Sequence, residues 1–205
     1  MAVTSRIVAL ILAAGSSSRM STFKPLAPLR TSTFIEEAVT LFRKAGISDV
    51  RVVVGYRAHE LTPMLERLNV RWVLNAEYER GMFSSVVAGI GRFEPDVEAF
   101  FLLPTDIPLV NPRTVRRLRD AYDSGRPKII YPRFEGKRGH PPLIPAAWLK
   151  GELPLEVPGG LRSILERREQ DAEDVEVTDE AILLDCDTPS DYRVLVQRWS
   201  KDGIP

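Results

Sequence analysis

Residues 8–25 read VALILAAGSSSRMSTFKP and carry the first signal of the fold. An apolar run over residues 7–12 predicts a buried strand, which ends at Ala13-Ala14-Gly15 in a serine-rich loop. Small residues let a backbone approach a phosphate chain closely, and unpaired N–H groups in such a loop can donate to anionic oxygens. Arg19 and Lys24 add full positive charge. The stretch therefore predicts a triphosphate-binding loop. Its predicted nucleotide-binding residues are Leu12, Ala13, Ala14, Gly15, Ser16, Ser17, Ser18, Arg19 and Lys24.

Two common phosphate-binding motifs are absent from this loop. Walker A requires G-x-x-x-x-G-K-[ST], and Gly15 has no second glycine at that spacing. The dinucleotide fingerprint G-x-G-x-x-G is missing as well. The alternative is an ordinary strand-to-helix turn with solvated basic residues, which would need neither three consecutive serines nor two placed cations. The sequence favours a loop in which side-chain cations reinforce backbone amides.

Composition narrows the classes of protein to consider. The chain has 205 residues, with 28 Lys plus Arg against 28 Asp plus Glu. Because no net charge attracts nucleic acid or anionic lipid, we expect neither a nucleic-acid nor a membrane partner. A single cysteine, Cys186, excludes an internal disulfide and a cysteine metal cluster. We expect one cytoplasmic domain spanning residues 1–205.

Apolar and amphipathic segments alternate along the chain. Strands are predicted at 7–12, 50–54, 70–74, 99–103, 128–131 and 181–184. Helices are predicted at 34–44, 60–68, 83–93, 112–123, 161–168 and 190–199. Strands separated by helices of this length indicate an α/β fold, a Rossmann-like, mostly parallel sheet with helices on both faces. Residues 136–158 are proline-rich and poorly periodic, which predicts an irregular insertion near the second substrate.

Carboxylates follow two of the predicted strands. Residues 100–108 read FFLLPTDIP and place Asp106 at the carboxyl end of an apolar run, where open α/β sheets bind ligands. Oxygen ligands beside a triphosphate suit Mg²⁺, so Asp106 is a predicted metal ligand. In residues 183–192, LLDCDTPSDY, either Asp185 or Asp187 could complete the site, and we select Asp187. The alternative is that Asp187 or Thr188 caps the helix that Pro189 opens.

Two further segments present polar side chains. Residues 75–90 read NAEYERGMFSSVVAGI. Gly81 interrupts regular secondary structure there, and a helix with two serines near its start is predicted to follow. Exposed N–H donors and hydroxyls there suit a base edge or a ribose, although Ser84 could be a simple N-cap. The predicted nucleotide-binding residues of this segment are Asn75, Gly81, Ser84 and Ser85. In the rigid turn Gly139-His140-Pro141-Pro142, His140 is predicted to contact the acceptor substrate.

In this order and spacing the segments resemble the MobA-like nucleotidyltransferases, and most closely their molybdenum cofactor cytidylyltransferase branch. The resemblance rests on LAAGSSSRM with Lys24, VVVGY at 52–56, residues 75–90, LLPTDIP, GHPPLIP and DCDTPSDY. The Ala13-Ala14 pair favours that branch, because guanylyl members tend to carry a glycine pair there. The chain departs from the family in having Ser21 after Arg-Met, where glycine is usual. It also has Thr105 and Ile107 where Gly-Asp-Met-Pro is common.

The resemblance implies Mg²⁺-dependent transfer of a nucleoside monophosphate from a triphosphate, with release of pyrophosphate. Arg19 and Lys24 would hold the phosphates, Asp106 the metal, and Ser85 would lie near the base. We expect CTP as the nucleotide and molybdopterin as the phosphorylated acceptor, with a molybdoenzyme as a possible recipient of the product. Catalysis would use Arg19, Lys24 and Asp106. A guanylyltransferase, another cytidylyl or sugar-phosphate nucleotidyltransferase, and a non-catalytic nucleotide or pterin carrier are the alternatives.

Overall fold

The computed structural model describes residues 6–16, 20, 22–29, 31–149 and 157–201, the last four of these by their backbone alone. The strands are β1 (Ile7–Ala13), β2 (Pro28–Leu29), β3 (Ser32–Thr33), β4 (Val50–Val54), β5 (Arg71–Leu74), β6 (Ala99–Pro104), β7 (Ile129–Phe134), β8 (Lys137–Arg138), β9 (Leu143–Pro145) and β10 (Ala172–Glu176). The helices are α1 (Phe34–Lys44), α2 (Ala58–Arg67), α3 (Met82–Ile90), α4 (Pro112–Ala121), α5 (Gly160–Glu166) and α6 (Pro189–Lys201). In the described part of the chain, no helix is long and apolar enough to cross a membrane.

Most of the strands join one mixed sheet. Its order is β10-β7-β9-β6-β1-β4-β5, with β8 paired to β7, while β2 and β3 form a small separate ribbon. The neighbours β6, β1, β4 and β5 all run parallel, so their carboxyl ends meet at one edge. The antiparallel strand β9 lies between β6 and β7. This is the predicted Rossmann-like α/β arrangement.

The sheet is covered on both faces because side chains alternate along its central strands. Ala9 and Ile11 of β1 pack with α1, α2 and α4, and Phe42 of α1 meets Phe101 of β6 with ring centroids 5.7 Å apart. Val8 and Leu10 point the other way, toward α3 and α5. The near-continuous apolar runs of the sequence therefore reflect burial on both faces, as predicted.

One predicted strand is wrong, and five of the observed strands, β2, β3, β8, β9 and β10, were not predicted. Residues 181–184 are not a strand, since Glu180–Leu183 forms a 3-10 helix whose N-cap Asp179 accepts from the Ala181 N–H at 3.2 Å. The longest of the five is β10, whose sequence AEDVE is too acidic to suggest burial. Its charges pair instead with basic side chains beside it, such as Lys128 with Glu173 at 2.8 Å. Charged side chains are a common feature of edge strands.

The insertion at 136–158 is more ordered than its sequence suggested. Strand β9 adds its backbone to the main sheet, and Leu143 and Ile144 are fully buried. A 3-10 helix, Ala146–Trp148, follows it. Residues 150–156 lie outside the described part of the chain. Pro142 directly precedes β9 and Pro145 is its last residue, so prolines flank a strand that is only three residues long. A strand this short shows no periodicity in the sequence.

The packing of α3 gives a test of the fold. A Cβ atom on Gly89 would lie 2.7 Å from Leu10 Cδ1 and 3.0 Å from Val53 Cγ2. Gly89→Ala should lower the free energy of unfolding by roughly 1–2 kcal/mol, because overpacking outweighs the gain in helix propensity. Denaturant unfolding measures the change. The control is Gly125→Ala, in a loop where a Cβ would meet the Asp123 side chain alone within 4 Å. This variant should change the free energy of unfolding by less than about 0.5 kcal/mol. Equal stability of the two variants would contradict the packing described.

Candidate active site

A cavity of about 590 Å³ opens at the edge of the sheet where β1, β4, β5 and β6 end. Its lining includes nine of the residues selected from the sequence: Leu12, Ala13, Ala14, Gly15, Ser16, Lys24, Gly81, Ser85 and Asp106. Ser17, Ser18 and Arg19 lie outside the described residues, so their predicted contacts with a nucleotide stay predictions. The cavity brings together residues as far apart in the sequence as Leu12 and Asp106, because the parallel strands end on the same side.

A lysine and two aspartates form an ionic cluster in this region. Lys24 begins the short 3-10 helix Lys24–Leu26 and is only 9% exposed. Its Nζ donates to Asp187 Oδ1 at 2.7 Å and lies 3.5 Å from Asp106 Oδ2. The Cys186 N–H donates to the Asp106 carbonyl at 2.9 Å, which fixes the segment carrying Asp187 beside the end of β6. Two carboxylates and one ammonium group, from segments that are far apart in the sequence, therefore lie in contact with one another.

Thr188, rather than Asp187, caps α6. The Thr188 hydroxyl accepts from the Asp191 N–H at 3.2 Å, and the Asp191 carboxylate accepts from the Thr188 N–H at 2.7 Å. This reciprocal arrangement is a capping box. The Asp187 side chain is engaged with Lys24 instead. The prediction that Thr188 could cap this helix is thus confirmed, and the metal-binding role of Asp187 stays a prediction.

Burial governs the ionisation of the cluster. Removal from water raises the pKa of the Asp106 carboxyl above its usual value, and the neighbouring Lys24 ammonium partly opposes that shift. Burial also raises the pKa of the Cys186 thiol to about 11. Because the thiolate is the reactive form, Cys186 is not a nucleophile at neutral pH. The chemistry of this region lies in its carboxylates and its ammonium group.

Asn75 organises the opposite part of the site. Its side-chain amide donates to Ser84 Oγ at 2.8 Å and to Ser85 Oγ at 3.0 Å. Asn75 and Ser85 are each 4% exposed, but only Ser85 lines the cavity. Asn75 and Ser84 lie behind it as positioning groups. Gly81 precedes α3 with φ of +93°, a conformation that only glycine adopts readily. Ser84 is not the N-cap of α3, since its hydroxyl donates back to the Gly81 carbonyl at 2.8 Å.

Two tyrosines in the cavity lining were not selected from the sequence. Tyr56 follows β4 and Tyr78 follows β5, and their ring centroids lie 6.2 Å apart in an edge-to-face contact. Gly55 leaves room for Tyr78 and Ala14 to approach, because a Cβ there would lie 2.8 Å from Tyr78 Cβ and 2.9 Å from Ala14 Cβ. For Tyr56 the signal was available, since it lies two residues after the end of β4, at the edge of the sheet where ligands bind. These rings give the cavity an aromatic side.

His140 does not line the cavity. Its backbone N–H donates to the Ile182 carbonyl at 2.9 Å, and its Nδ1 lies 3.5 Å from the Leu102 carbonyl. Burial lowers the pKa of the imidazole below its usual value, against the opposing effect of the Leu102 carbonyl and of the Asp106 and Asp185 carboxylates. His140 is therefore neutral at pH 7 and would offer a hydrogen bond rather than a charge to an acceptor. Its acceptor-binding role stays a prediction.

Thr105 ties the segment that carries Asp106 to the end of β1. Its backbone N–H donates to the Leu12 carbonyl at 3.1 Å, and its hydroxyl donates to the same oxygen. A glycine, which is usual in the family at this position, could make only the first of these bonds. The threonine thus stiffens the junction between the ends of β1 and β6.

Comparison with known proteins identifies the family. Residues 9–177 match the model of the MobA-like NTP transferase domain. The chain belongs to this family. It is therefore a nucleotidyltransferase, as the sequence predicted.

A sequence relative is consistent with this assignment, and two solved structures share the fold. Molybdenum cofactor cytidylyltransferase of Escherichia coli is 28% identical over 198 residues, which cover 96% of this chain and 99% of the relative. A nucleotidyl transferase from Methanothermobacter superposes with a TM-score of 0.81 at 24% identity, covering 95% and 98% of the two chains. A manganese complex of Rv0371c from Mycobacterium tuberculosis gives 0.75 at 24% identity, covering 95% and 99%. The two structures share the fold of this nucleotidyltransferase.

The ionic cluster fits a divalent cation. Asp106 and Asp187 each place an oxygen within 3.5 Å of the single Lys24 ammonium, which shows that a cation is accommodated between them. Oxygen donors are also what Mg²⁺ and Mn²⁺ prefer. Among the described residues, no group of three or more His, Cys, Asp or Glu could hold a metal. The protein therefore offers two carboxylates, which leaves other positions for phosphate oxygens and water.

The raised pKa of Asp106 predicts a stability effect. A carboxyl whose pKa is higher in the native state than in the unfolded chain lowers stability as the pH rises through that interval, and the loss is complete above the native pKa. Asp106→Asn has no carboxyl to ionise at this position, so its Tm at pH 8 should equal or exceed that of the wild type. The difference should shrink toward pH 4. Thermal unfolding across this range measures it, with exposed Asp120→Asn as the control. A Tm clearly below the wild-type value at pH 8 would contradict the burial effect.

Proposed function

We propose that this nucleotidyltransferase transfers CMP from CTP to molybdopterin and releases pyrophosphate. The observation that carries the proposal is that Lys24 and Asp106 line a cavity whose lining also includes Ser85 and two tyrosines, with Asp187 paired to Lys24. One part of the cavity is suited to phosphates and a cation, and the other to a base. The Escherichia coli relative, named molybdenum cofactor cytidylyltransferase, supports the choice of substrates.

Charge neutralisation is the main task of such a site. The reaction joins two anions, since a phosphate oxygen of the acceptor displaces pyrophosphate at the α-phosphorus of the nucleotide. Lys24 and Arg19 would bind the triphosphate, and the backbone at Gly15 and Ser16 would approach it closely. An acceptor phosphate is already ionised near neutral pH, so no general base is required. The absence of a reactive thiol at Cys186 is consistent with this mechanism.

Asp106 and Asp187 would hold Mg²⁺ as the resident metal. When bound, it would supply further neutralisation of charge on the triphosphate and on the incoming phosphate. Asp106 is held by the Cys186 backbone contact and by the Thr105 junction, so its carboxylate is positioned before substrates arrive. Positioned charges of this kind need no reorganisation during the reaction.

The preference for cytosine rests on the packing beside β1. Ala14 packs against Gly55, which in turn contacts Tyr78, so the ring of Tyr78 is fixed next to the phosphate loop. A glycine in place of Ala14 would leave this wall looser, and the pocket larger. The alanine therefore favours the smaller pyrimidine.

We place the reaction in the cytoplasm as a single-domain activity, with a molybdoenzyme as the recipient of the product.

Nucleotide choice tests the proposal directly. CTP should exceed GTP by at least about tenfold in kcat/KM, because a pocket fitted to one base leaves polar groups of the other unpaired. Pyrophosphate release is measured with CTP, GTP, ATP and UTP, with and without molybdopterin. Turnover that requires molybdopterin and favours CTP supports the proposal. Preference for GTP would assign the chain to the guanylyl branch, and turnover with another phosphorylated acceptor alone would replace molybdopterin.

The phosphate-binding cations give a second test. Lys24→Ala and Arg19→Ala should each reduce transition-state stabilisation by about 2–4 kcal/mol, as for other charges directed at a reacting group. Steady-state kcat/KM is compared with that of Arg80→Ala, whose guanidinium pairs with Glu77 at 3.0 Å. The Arg80 variant should stay close to the wild type. Losses below about threefold in both test variants would remove the loop from the mechanism.

A further inference from the structure

Lys24 lies where a divalent cation would have to bind. Its ammonium contacts Asp187 at 2.7 Å and lies 3.5 Å from Asp106, and its side chain is only 11% exposed. The two carboxylates are 25% and 27% exposed, and their like charges repel each other. An ammonium between them offsets this repulsion. Without metal, Lys24 therefore serves as the counter-ion of the pair.

The same arrangement opposes metal binding. A divalent cation on the two carboxylates would face the Lys24 charge at a few ångströms, an arrangement that is strongly unfavourable where water is largely excluded. If the Lys24 ammonium moved away from the carboxylates and found no new partner, it would be a buried, unpaired charge, which is energetically costly. Lys24 lines the same cavity as Gly15 and Ser16 of the predicted phosphate loop. A polyphosphate bound there would offer anionic oxygens to the ammonium.

We propose that Lys24 competes with the divalent cation for Asp106 and Asp187 and releases them when a polyphosphate enters the cavity. The inference rests on the proposed metal and nucleotide sites and adds an interdependence between them. Lys24 exchanges carboxylate oxygens for phosphate oxygens, and the metal takes its place on the carboxylates. Metal alone binds weakly, metal with polyphosphate binds tightly, and one side chain produces both effects.

Metal binding without turnover tests this exchange. Mn²⁺ binding to the full chain is measured at pH 8 from the electron paramagnetic resonance signal of the free ion. The same proteins are then titrated calorimetrically with the preformed Mn²⁺–tripolyphosphate complex. The test variant is Lys24→Gln, and Lys24→Met, which preserves the apolar stem, is the second neutral variant. Circular dichroism verifies that each protein is folded.

Two controls separate the exchange from a general effect of charge. Lys24→Arg keeps the cation and should retain weak Mn²⁺ binding. Arg57→Gln removes a nearby charge that stacks on the Phe23 ring, 5.1 Å from its centroid, and pairs with Glu60. Because the Arg57 guanidinium is already paired with Glu60, Arg57→Gln should leave Mn²⁺ affinity within about twofold of the wild type.

The expected result is a change of opposite sign in the two titrations. The neutral variants should bind Mn²⁺ alone at least about tenfold more tightly than the wild type, because the competing charge is gone. They should bind Mn²⁺–tripolyphosphate more weakly, because the phosphate partner is gone. Asp106→Asn in the Lys24→Gln background should abolish the gain for Mn²⁺ alone.

Other outcomes overturn the exchange. If a folded neutral variant binds Mn²⁺ no more tightly than the wild type, Lys24 does not compete with the metal. If Arg57→Gln gains as much Mn²⁺ affinity as the neutral variants, the effect is one of general charge. Loss of binding in both titrations assigns Lys24 a structural role. None of these measurements uses CTP or molybdopterin. A wild type that fails to release pyrophosphate from CTP would therefore reject the proposed function while leaving the exchange to be judged by its own result.

Discussion

The parallel pairing of β1 with both β4 and β6 is the constraint on which the site depends. Ile11 is in register with Val52 on one side and Leu103 on the other, so three strands end at nearly the same height. Backbone hydrogen bonds continue beyond the strands, from Tyr56 N–H to Ala14 O at 3.0 Å and from Thr105 N–H to Leu12 O at 3.1 Å. The loops that follow are therefore anchored to one another at their first residues. The position of the cavity follows from this pairing.

Within that frame, the polar groups of the site are held by partners rather than by the strands themselves. Asn75 orients two serine hydroxyls, and the Cys186 backbone positions Asp106 and, with it, Asp187. Such buried polar contacts have defined geometry because an unsatisfied group would be costly there. Different contacts hold the two ends of the site. Hydrogen bonds from Asn75 hold the end near Ser85, and ionic contacts hold the end near Lys24.

Much of the fold was predictable from local sequence. The apolar runs of β1, β4, β5, β6 and β7 and the amphipathic segments between them correspond to observed elements within a few residues, because periodicity reports burial directly. The exceptions have a common cause. β10 is stabilised by charges on its neighbours, β9 is only three residues long, and the run at 181–184 is apolar but turns within a 3-10 helix. None of the three leaves a periodic pattern.

The sequence by itself determined the α/β class, the family, and the candidates Lys24, Asp106 and Ser85, because strand ends and loop composition are local properties. Only the tertiary structure decided how these residues meet. It separated Asp187 from the capping role that Thr188 takes, placed Asn75 and Ser84 behind the cavity wall, and kept His140 out of the lining. It also brought Lys24 between two carboxylates that lie 82 and 163 positions farther along the chain. Contacts of this kind depend on the direction of side chains from distant segments, which no local pattern specifies.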